Sequence, residues 1–420
     1  MMDGAVESVA RRESHVQLTD HERRMLEGEF GEGVALAMRV QVGVGKAFDA
    51  ERMVPITRAH VALSAQDADL WFVSKLVDGG AHCVVSPTVN PSIDIAYLDE
   101  HLWEAPPAGR DIVAATNAAY TRIGATMTLD CAPGLEKNVP AFGEVIAFSE
   151  SSATPYVNSV LGARTNRESA HSALCAAVTG RVPEYGLLLD EERKGQILVD
   201  VQAGVRDDFD YSLLGWAYPM KYKGLETPVF TGIGERPTPE GFLNFGAELN
   251  TSGCVSMYHI VGITPEAPTV EAAFGGHDVL ERIVLTDDDL DAARAAVCGR
   301  PGAIDFAMFG CPHLSIRQVA EIAGVVDGRH FAVPAWILTS SLTKELAERM
   351  GYLSVIQRAG GHIIADTCID VPPCWGPYYG KTGVTDSPKC AYYHQINKTD
   401  FMIRPLTEAI EAAIKGEVTT

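Results

Sequence analysis

Apolar and polar positions along this chain follow two rhythms. From Thr19 onward Met25, Leu26 and Phe30 recur at helical spacing, and Thr19 with Glu22 has the T-x-x-E form of a capping box, so a helix is predicted to start there. After the break at Gly31 to Gly33, residues 34–42 read as a second, mostly buried helix. Beyond this, short β-rich runs alternate with helical patterns, which predicts βαβ units and parallel sheets. The C-terminal third shows it best. Residues 303–309 read as a buried strand, 315–323 as a helix closed by Gly324, 331–338 as a second strand, 342–357 as a helix closed by Gly360 and Gly361, and 362–365 as the start of a third strand. Residues 1–17 carry no periodic pattern and read as a flexible tail before one large body over 18–420. Candidate hinges lie at 237–239 and 265–268, where prolines cluster.

Composition narrows the class. A chain of 420 residues, 46% hydrophobic and 21% charged, is long enough for several subdomains around a sizeable core. Its formal charge of -21 argues against nucleic acid or an anionic membrane as partner. No run of eighteen apolar residues is present, and the N-terminal residues carry charges where a signal peptide needs an apolar core. The expected location is therefore cytoplasmic. Nine cysteines, an odd number at irregular positions, agree with a reducing compartment.

Three of these cysteines occupy similar places. Cys131 follows GATMTLD, Cys311 follows AIDFAMFG and Cys368 follows HIIADT, each after an apolar run read as a strand. In open α/β sheets the carboxyl ends of strands face the ligand crevice, so these thiols can converge and suit a soft metal centre. The plainer alternative is three packed small residues. Cys374 is close enough to Cys368 to rival it as a ligand, whereas Cys83, Cys175, Cys254, Cys298 and Cys390 read as structural. The absence of C-x-x-C disfavours a zinc ribbon or a ferredoxin-like motif, and H-E-x-x-H is missing as well. GVGK at 43–46 lacks the rest of a P-loop, and no G-x-G-x-x-G follows a strand, so nucleotide-dependent chemistry is not indicated.

The densest polar stretch is GEVIAFSESSATPYVNSVLGARTNRES, residues 143–169. Ser149, Ser151 and Ser152 offer hydroxyls, Asn158 an amide, and Arg164 and Arg167 guanidiniums able to hold a carboxylate or phosphate with paired hydrogen bonds. Glu168 reads as an acid, a base or an arginine partner. An Arg/Glu network that buttresses an interface explains the same residues equally well.

That stretch, with GRVPEYGLLLDE, SGCVSMYHIVGITPEA, MFGCPHLS and TDSPKCAYY in this order, resembles the catalytic large part of aconitase X, a branch of the aconitase superfamily. LTDHERRMLEGEFGEGVALAM and AHCVVSPTVNP extend the resemblance over nearly the whole chain from Leu18. It implies an α/β fold: an aconitase-like body of several α/β subdomains around a central crevice, without the small swivel domain. It also implies iron or an iron-sulfur cluster on Cys131, Cys311 and Cys368, and a hydro-lyase acting on a small β-hydroxy acid. The first expectation is the large subunit of a cis-3-hydroxy-L-proline dehydratase. Alternatives are a mevalonate 5-phosphate dehydratase large subunit, a dehydratase of another substrate, or a cluster-free binding or regulatory subunit. The implied partner is a small swivel subunit carrying a catalytic serine. On this chain the candidates for the base are Glu168, Lys389 and His60. Ser151, Ser152, Asn158, Arg164, Thr165, Asn166, Arg167, Thr88 and Asn90 are the candidates for binding substrate. Tyr392, Cys390 and Arg58 depart from the residues usual in the family, and the loop VPPCWGPYYGKTGV is rich in aromatics and proline.

Overall fold

The computed structural model describes residues 16–370 and 375–419. Three parallel sheets organise the chain, each the centre of an α/β unit. In the first unit the strand Arg58–Val61 lies between Thr88–Val89 and Ile146–Phe148. The middle sheet runs His259–Ile260, Pro228–Thr231, Ile197–Val201, Glu281–Leu285. The last has five strands in the order Gly361–Ala365, Ala335–Thr339, Phe306–Phe309, Thr382–Thr385, Asp400–Ile403. Its chain order reverses between Phe306–Phe309 and Thr382–Thr385, and at such a switch point the loops leaving two neighbouring strands diverge and open a crevice.

Apolar patterning explains these elements. The runs FAMF and AWILT are buried at every position, as expected for parallel strands covered on both faces. The helix Ile316–Val326 turns Val319, Ile322, Ala323 and Val326 onto that sheet, and the Ser315–Gln318 capping box satisfies its first turn. Phe148, Tyr258, Phe306 and Trp336 belong to one continuous core that crosses all three units.

Several boundaries differ from expectation. Thr19 and Glu22 form the capping box of the helix Asp20–Leu26, but Phe30 lies beyond its end. The second helix is longer than 34–42 and runs Glu32–Ala47. The expected strand 303–309 divides into Gly302–Ala303, which pairs with Glu417–Val418, and Phe306–Phe309. Gly324 does not end its helix, since the apolar face continues to Val326. The expected strand 331–338 begins only at Ala335, after Pro334, and the helix expected over 342–357 is two helices, Ser341–Arg349 and Tyr352–Arg358, divided by Gly351 at φ +83°. The segment before Cys131 is not a strand. It follows Thr88–Val89 through the Thr126 bridge and the Asp130 N–H bond to Val89 O (3.0 Å), and Leu129 adopts φ +48°. Segments 237–239 and 265–268 both fall within the middle unit, the first leading into the helix Pro239–Gly253. Residues 1–15 of the expected tail lie outside the described residues, whereas Gln17 bridges to Arg52. Cys374 lies outside them too.

Contacts between units fix the loops that matter below. Cys368 N donates to Ser92 O (3.0 Å), and Asp94 N to Thr367 Oγ1 (2.8 Å). Lys137 Nζ bridges Asp130 (2.8 Å) and Ser340 Oγ (2.9 Å).

Ile337 is fully buried on an interior strand, Ala335–Thr339, of the five-stranded sheet. Ile337→Ala is expected to lower unfolding stability by about 2–5 kcal/mol, against about 0.5–1.5 kcal/mol for Ile337→Val. Denaturant unfolding followed by tryptophan fluorescence measures both, and equal costs would place Ile337 outside a close-packed core.

Candidate active site

The loops leaving the strands of the first and last units meet around a cavity of about 180 Å³. Cys131, Cys311 and Cys368 all line it, although they are far apart in sequence. Cys311 comes two residues after Phe306–Phe309 and Cys368 three residues after Gly361–Ala365. His313 N donates to Cys131 Sγ (3.2 Å) and Asp370 N to Cys368 Sγ (3.3 Å). Trp375 Nε1 donates to Cys368 O (3.2 Å) while its ring packs against Trp336, so this indole holds the Cys368 backbone against the last sheet. Burial and nearby carboxylates push all three thiols up, opposed by the Lys389 ammonium. Such thiols ionise readily only when a further cation lies among them.

Opposite the sulfurs is a buried polar chain. Lys389 Nζ donates to Ser151 Oγ (2.8 Å) and to Glu150 Oε1 (3.2 Å), and Ser151 Oγ donates to the same carboxylate oxygen (2.8 Å). The other oxygen, Glu150 Oε2, accepts from Asn90 Nδ2 (2.6 Å). That bond fixes the amide, so Asn90 Oδ1 accepts from His60 Nε2–H (2.8 Å). His60 Nδ1 then accepts from Thr88 Oγ1 (2.8 Å), which in turn accepts from Asn138 Nδ2 (2.9 Å). Burial holds the His60 pKa down, in keeping with this neutral tautomer. For Glu150 burial alone acts upward, but Lys389, Asn90 and Ser151 outweigh it and bring the carboxyl down to about 2. The same Glu150 raises Lys389 well above the ordinary lysine value despite burial, so the lysine is a fixed cation. Asp370 also lines the cavity, and burial pushes it up to about 7.

The chain matches, in order, the models for the aconitase X first domain over 15–191, second domain over 195–295 and third domain over 304–415. The chain belongs to the aconitase X family. It is 37% identical over 383 residues to the phosphomevalonate dehydratase large subunit of Thermococcus kodakarensis, covering 90% of this chain and 94% of that protein. It is 34% identical over 414 residues to the cis-3-hydroxy-L-proline dehydratase of Pseudomonas aeruginosa, covering 95% of this chain and 70% of that one. The crystal structure of Thermococcus kodakaraensis aconitase X in its holo-form superposes with a TM-score of 0.86 at 35% identity, over 95% of this chain and 100% of that chain. These relatives are dehydratases, that is, hydro-lyases, and the fold is the aconitase-like α/β body.

Within this aconitase X chain the predicted residues separate into two groups. Asn90, Ser151, Lys389 and the three cysteines line the cavity, while His60 and Thr88 stand directly behind Asn90. Ser152 holds the backbone at Cys131 through its Oγ bond to Cys131 O (2.8 Å). The block from Asn158 to Glu168 lies elsewhere. Asn158 is saturated by Thr165 O, Ser256 O, Thr165 N and the buried Arg193, and Thr165 Oγ1 accepts from Phe148 N. Arg164 pairs with Asp190 and bonds Leu188 O (2.8 Å). Asn166 bonds Tyr185 O (2.9 Å) and Leu187 N (2.9 Å), and lines with Arg167 a separate cavity near Phe48 and Cys254. Glu168 is buried beside Ser172.

Glu150 and Asp370 were not singled out from the sequence, although Glu150 stands between the serines of SESS and Asp370 two residues after Cys368. Of the departures from the family pattern, Arg58 pairs with Glu144 and Tyr392 packs on Trp216, while Cys390 is buried. None of the three lines the cavity; Tyr393 does. No described helix is long and apolar enough to cross a membrane.

Burial raises Glu168 from 4.5 to about 7, against a lowering bond from Ser172. Between those values the unfolded chain gives up the proton and the folded chain keeps it, so this group's contribution to stability falls as pH rises through the window. Glu168→Gln is expected to gain on the order of 2 kcal/mol relative to wild type at pH 8, and little at pH 4.5. Denaturant melts at both pH values test it; an equal effect at both would mean that Glu168 ionises as in the unfolded chain.

Proposed function

We propose that this chain is the large subunit of an iron-dependent hydro-lyase that removes water from a small β-hydroxy acid, with cis-3-hydroxy-L-proline as substrate. The observation that carries the reading is one cavity lined by three cysteines from separate loops, two of them receiving backbone N–H bonds at sulfur, opposite a buried lysine. N–H···S bonds of this kind tune iron-sulfur centres. Among the described residues, the one set of three donor atoms lying within 4.8 Å of one another is Asp130, Cys131 and His313. Three cysteine thiolates suit a soft iron or iron-sulfur centre better than that mixed set does. In that set Asp130 is paired with Lys137, while His313 bonds Thr367 O through Nε2 (2.9 Å) and leaves an unpartnered Nδ1 3.5 Å from Asp130 Oδ1. Cys131, Cys311 and Cys368 would hold the cluster, which would supply a Lewis acid for the departing hydroxyl.

The other steps fall to side chains and a partner. Dehydration needs the substrate carboxylate held, its developing enolate charge stabilised and an α-proton removed. Lys389 keeps its proton, so its role is to bind and stabilise negative charge rather than to act as a base. Asn90 and Ser151 orient the substrate, and His60 and Thr88 hold Asn90 in the required amide orientation. Glu168 is not among the residues lining this cavity, and the base is assigned to a serine of a small swivel subunit. The term "large subunit" in the names of several relatives supports such a partner. A reducing cytoplasm keeps the three thiols available.

For the substrate, charge is informative. The described lining contains the Lys389 cation together with the Glu150 and Asp370 carboxyl groups, which suits a zwitterionic imino acid better than a phosphate. The 37% identity to the phosphomevalonate dehydratase large subunit of Thermococcus kodakarensis favours the second reading, mevalonate 5-phosphate.

Anaerobic co-purification with the small subunit is expected to yield bound iron and sulfide, each lost in Cys131→Ser, Cys311→Ser and Cys368→Ser. Wild type without iron after reconstitution would favour a cluster-free binding subunit. Lys389→Met and Glu150→Gln are expected to keep the iron and lose about 10²–10³-fold in kcat/KM. Assay of both hydroxy acids identifies the substrate, and near-normal activity of Lys389→Met would remove the lysine from the mechanism.

A further inference from the structure

A second, much smaller cavity adjoins the loop that presents Lys389. Its volume of about 10 Å³ gives room for one water-sized particle. Oxygen-bearing side chains surround it: Ser212, Asn244 and Glu248 from the middle unit, and Asp386 from the last. Asn244 and Glu248 are four residues apart on the helix Pro239–Gly253 and so share a face. Asp386 directly follows the strand Thr382–Thr385 at the switch point of the five-stranded sheet.

Glu248 is 1% exposed. Its Oε1 accepts from Lys389 N (3.1 Å), while its buried Oε2 has no protein partner. The neighbouring cations are engaged elsewhere, Lys389 Nζ by Glu150 and Ser151, and Arg317 by Asp208 and Glu240. Glu248 and Asp386 thus both line a single-particle space whose lining contains no side-chain cation, while Asp386, Ser212 and Asn244 also border the larger cavity beside Arg317. Cys311 lines this space too, but its Sγ is engaged with Asp370 on the reaction cavity (3.9 Å).

We propose that this space binds one hard metal cation, ligated by the Glu248 and Asp386 carboxylates, with the Asn244 and Ser212 oxygens completing the shell. Oxygen donors of this kind select alkali or alkaline-earth ions over thiophilic metals. Burial pushes Glu248 up to about 8 and Asp386 up to about 7, a cost that a bound cation offsets. The ion ties the middle unit to the first turn of the helix Pro388–His394, and so to the backbone of Lys389. The site borders Cys311 but draws its ligands from oxygen-bearing side chains alone, and it does not depend on the hydro-lyase reading.

The test is thermal unfolding of the full chain, stripped of metal and titrated with K⁺, Na⁺, Mg²⁺ or Ca²⁺ at ionic strength held constant with tetramethylammonium chloride. One of these ions is expected to raise Tm saturably, and Glu248→Gln and Asp386→Asn each to weaken that ion's half-saturation at least tenfold. If no metal ion outperforms tetramethylammonium, the space holds water between protonated carboxyls and the proposal fails. It fails equally if both variants keep the wild-type response. Should either variant not fold, crystals of wild type grown in rubidium or manganese salt decide the matter. An anomalous peak between Glu248 and Asp386 supports the site, and no peak there overturns it.

Discussion

The site depends on one buried ion pair. Glu150, on the loop after the last strand of the first unit, meets Lys389, at the start of a helix that follows a strand of the last unit, across 239 residues of sequence. Both side chains are about nine-tenths buried or more. Taking two charges out of water costs several kcal/mol each, so such a pair is weak evidence for stability and survives only where further bonds complete it. Here Asn90 and Ser151 supply those bonds, and Glu248 accepts the lysine backbone N–H. The pair therefore couples the relative placement of all three units to the charge state of the cavity.

Parallel topology makes the convergence possible. Every strand of the first and last sheets runs parallel to its neighbours, so the loops at their carboxyl ends gather on one side. Cys311, Cys368 and Lys389 come from three such loops of one sheet, and Asn90, Glu150 and Ser151 from two loops of another. Cys131 arrives differently, on an irregular segment tied to Thr88–Val89 by backbone bonds. Cross-unit bonds at Ser92, Asp94 and Lys137 then hold the two sets of loops in register.

The conspicuous GARTNRES segment serves a different end. Its polar density in sequence points to a binding site, yet Thr165, Arg164 and Asn166, with Asn158 just before the segment, satisfy backbone groups around Arg193, Leu188 and Tyr185. Buried loop backbone needs partners wherever no strand or helix provides them, and this segment provides them between the first and middle units. A cluster of polar residues in sequence thus reports either a ligand or an unpaired backbone, and the residue types are the same for both.

Much was determined by the sequence itself. The capping box at Thr19, the parallel αβ rhythm of the last third and the strand-end placement of Cys311 and Cys368 follow from local periodicity and turn chemistry, and the long motifs carried the family. Helix and strand ends were less legible, because Gly324 and Gly351 look alike in sequence while only the second adopts a left-handed backbone that divides a helix. Glu150 and Asp370 had only their neighbours, the serines of SESS and Cys368, to mark them. Their importance comes from burial opposite a lysine and a thiol contributed by distant strands, and burial is a property of packed units rather than of neighbours in the chain. Tertiary structure alone decided that His60 supports Asn90 from behind, that Lys389 stays charged and that Glu168 lies apart from the cavity. Each of these depends on which groups share a low-dielectric space, where a charge or a hydrogen bond counts for far more than it does in the extended chain.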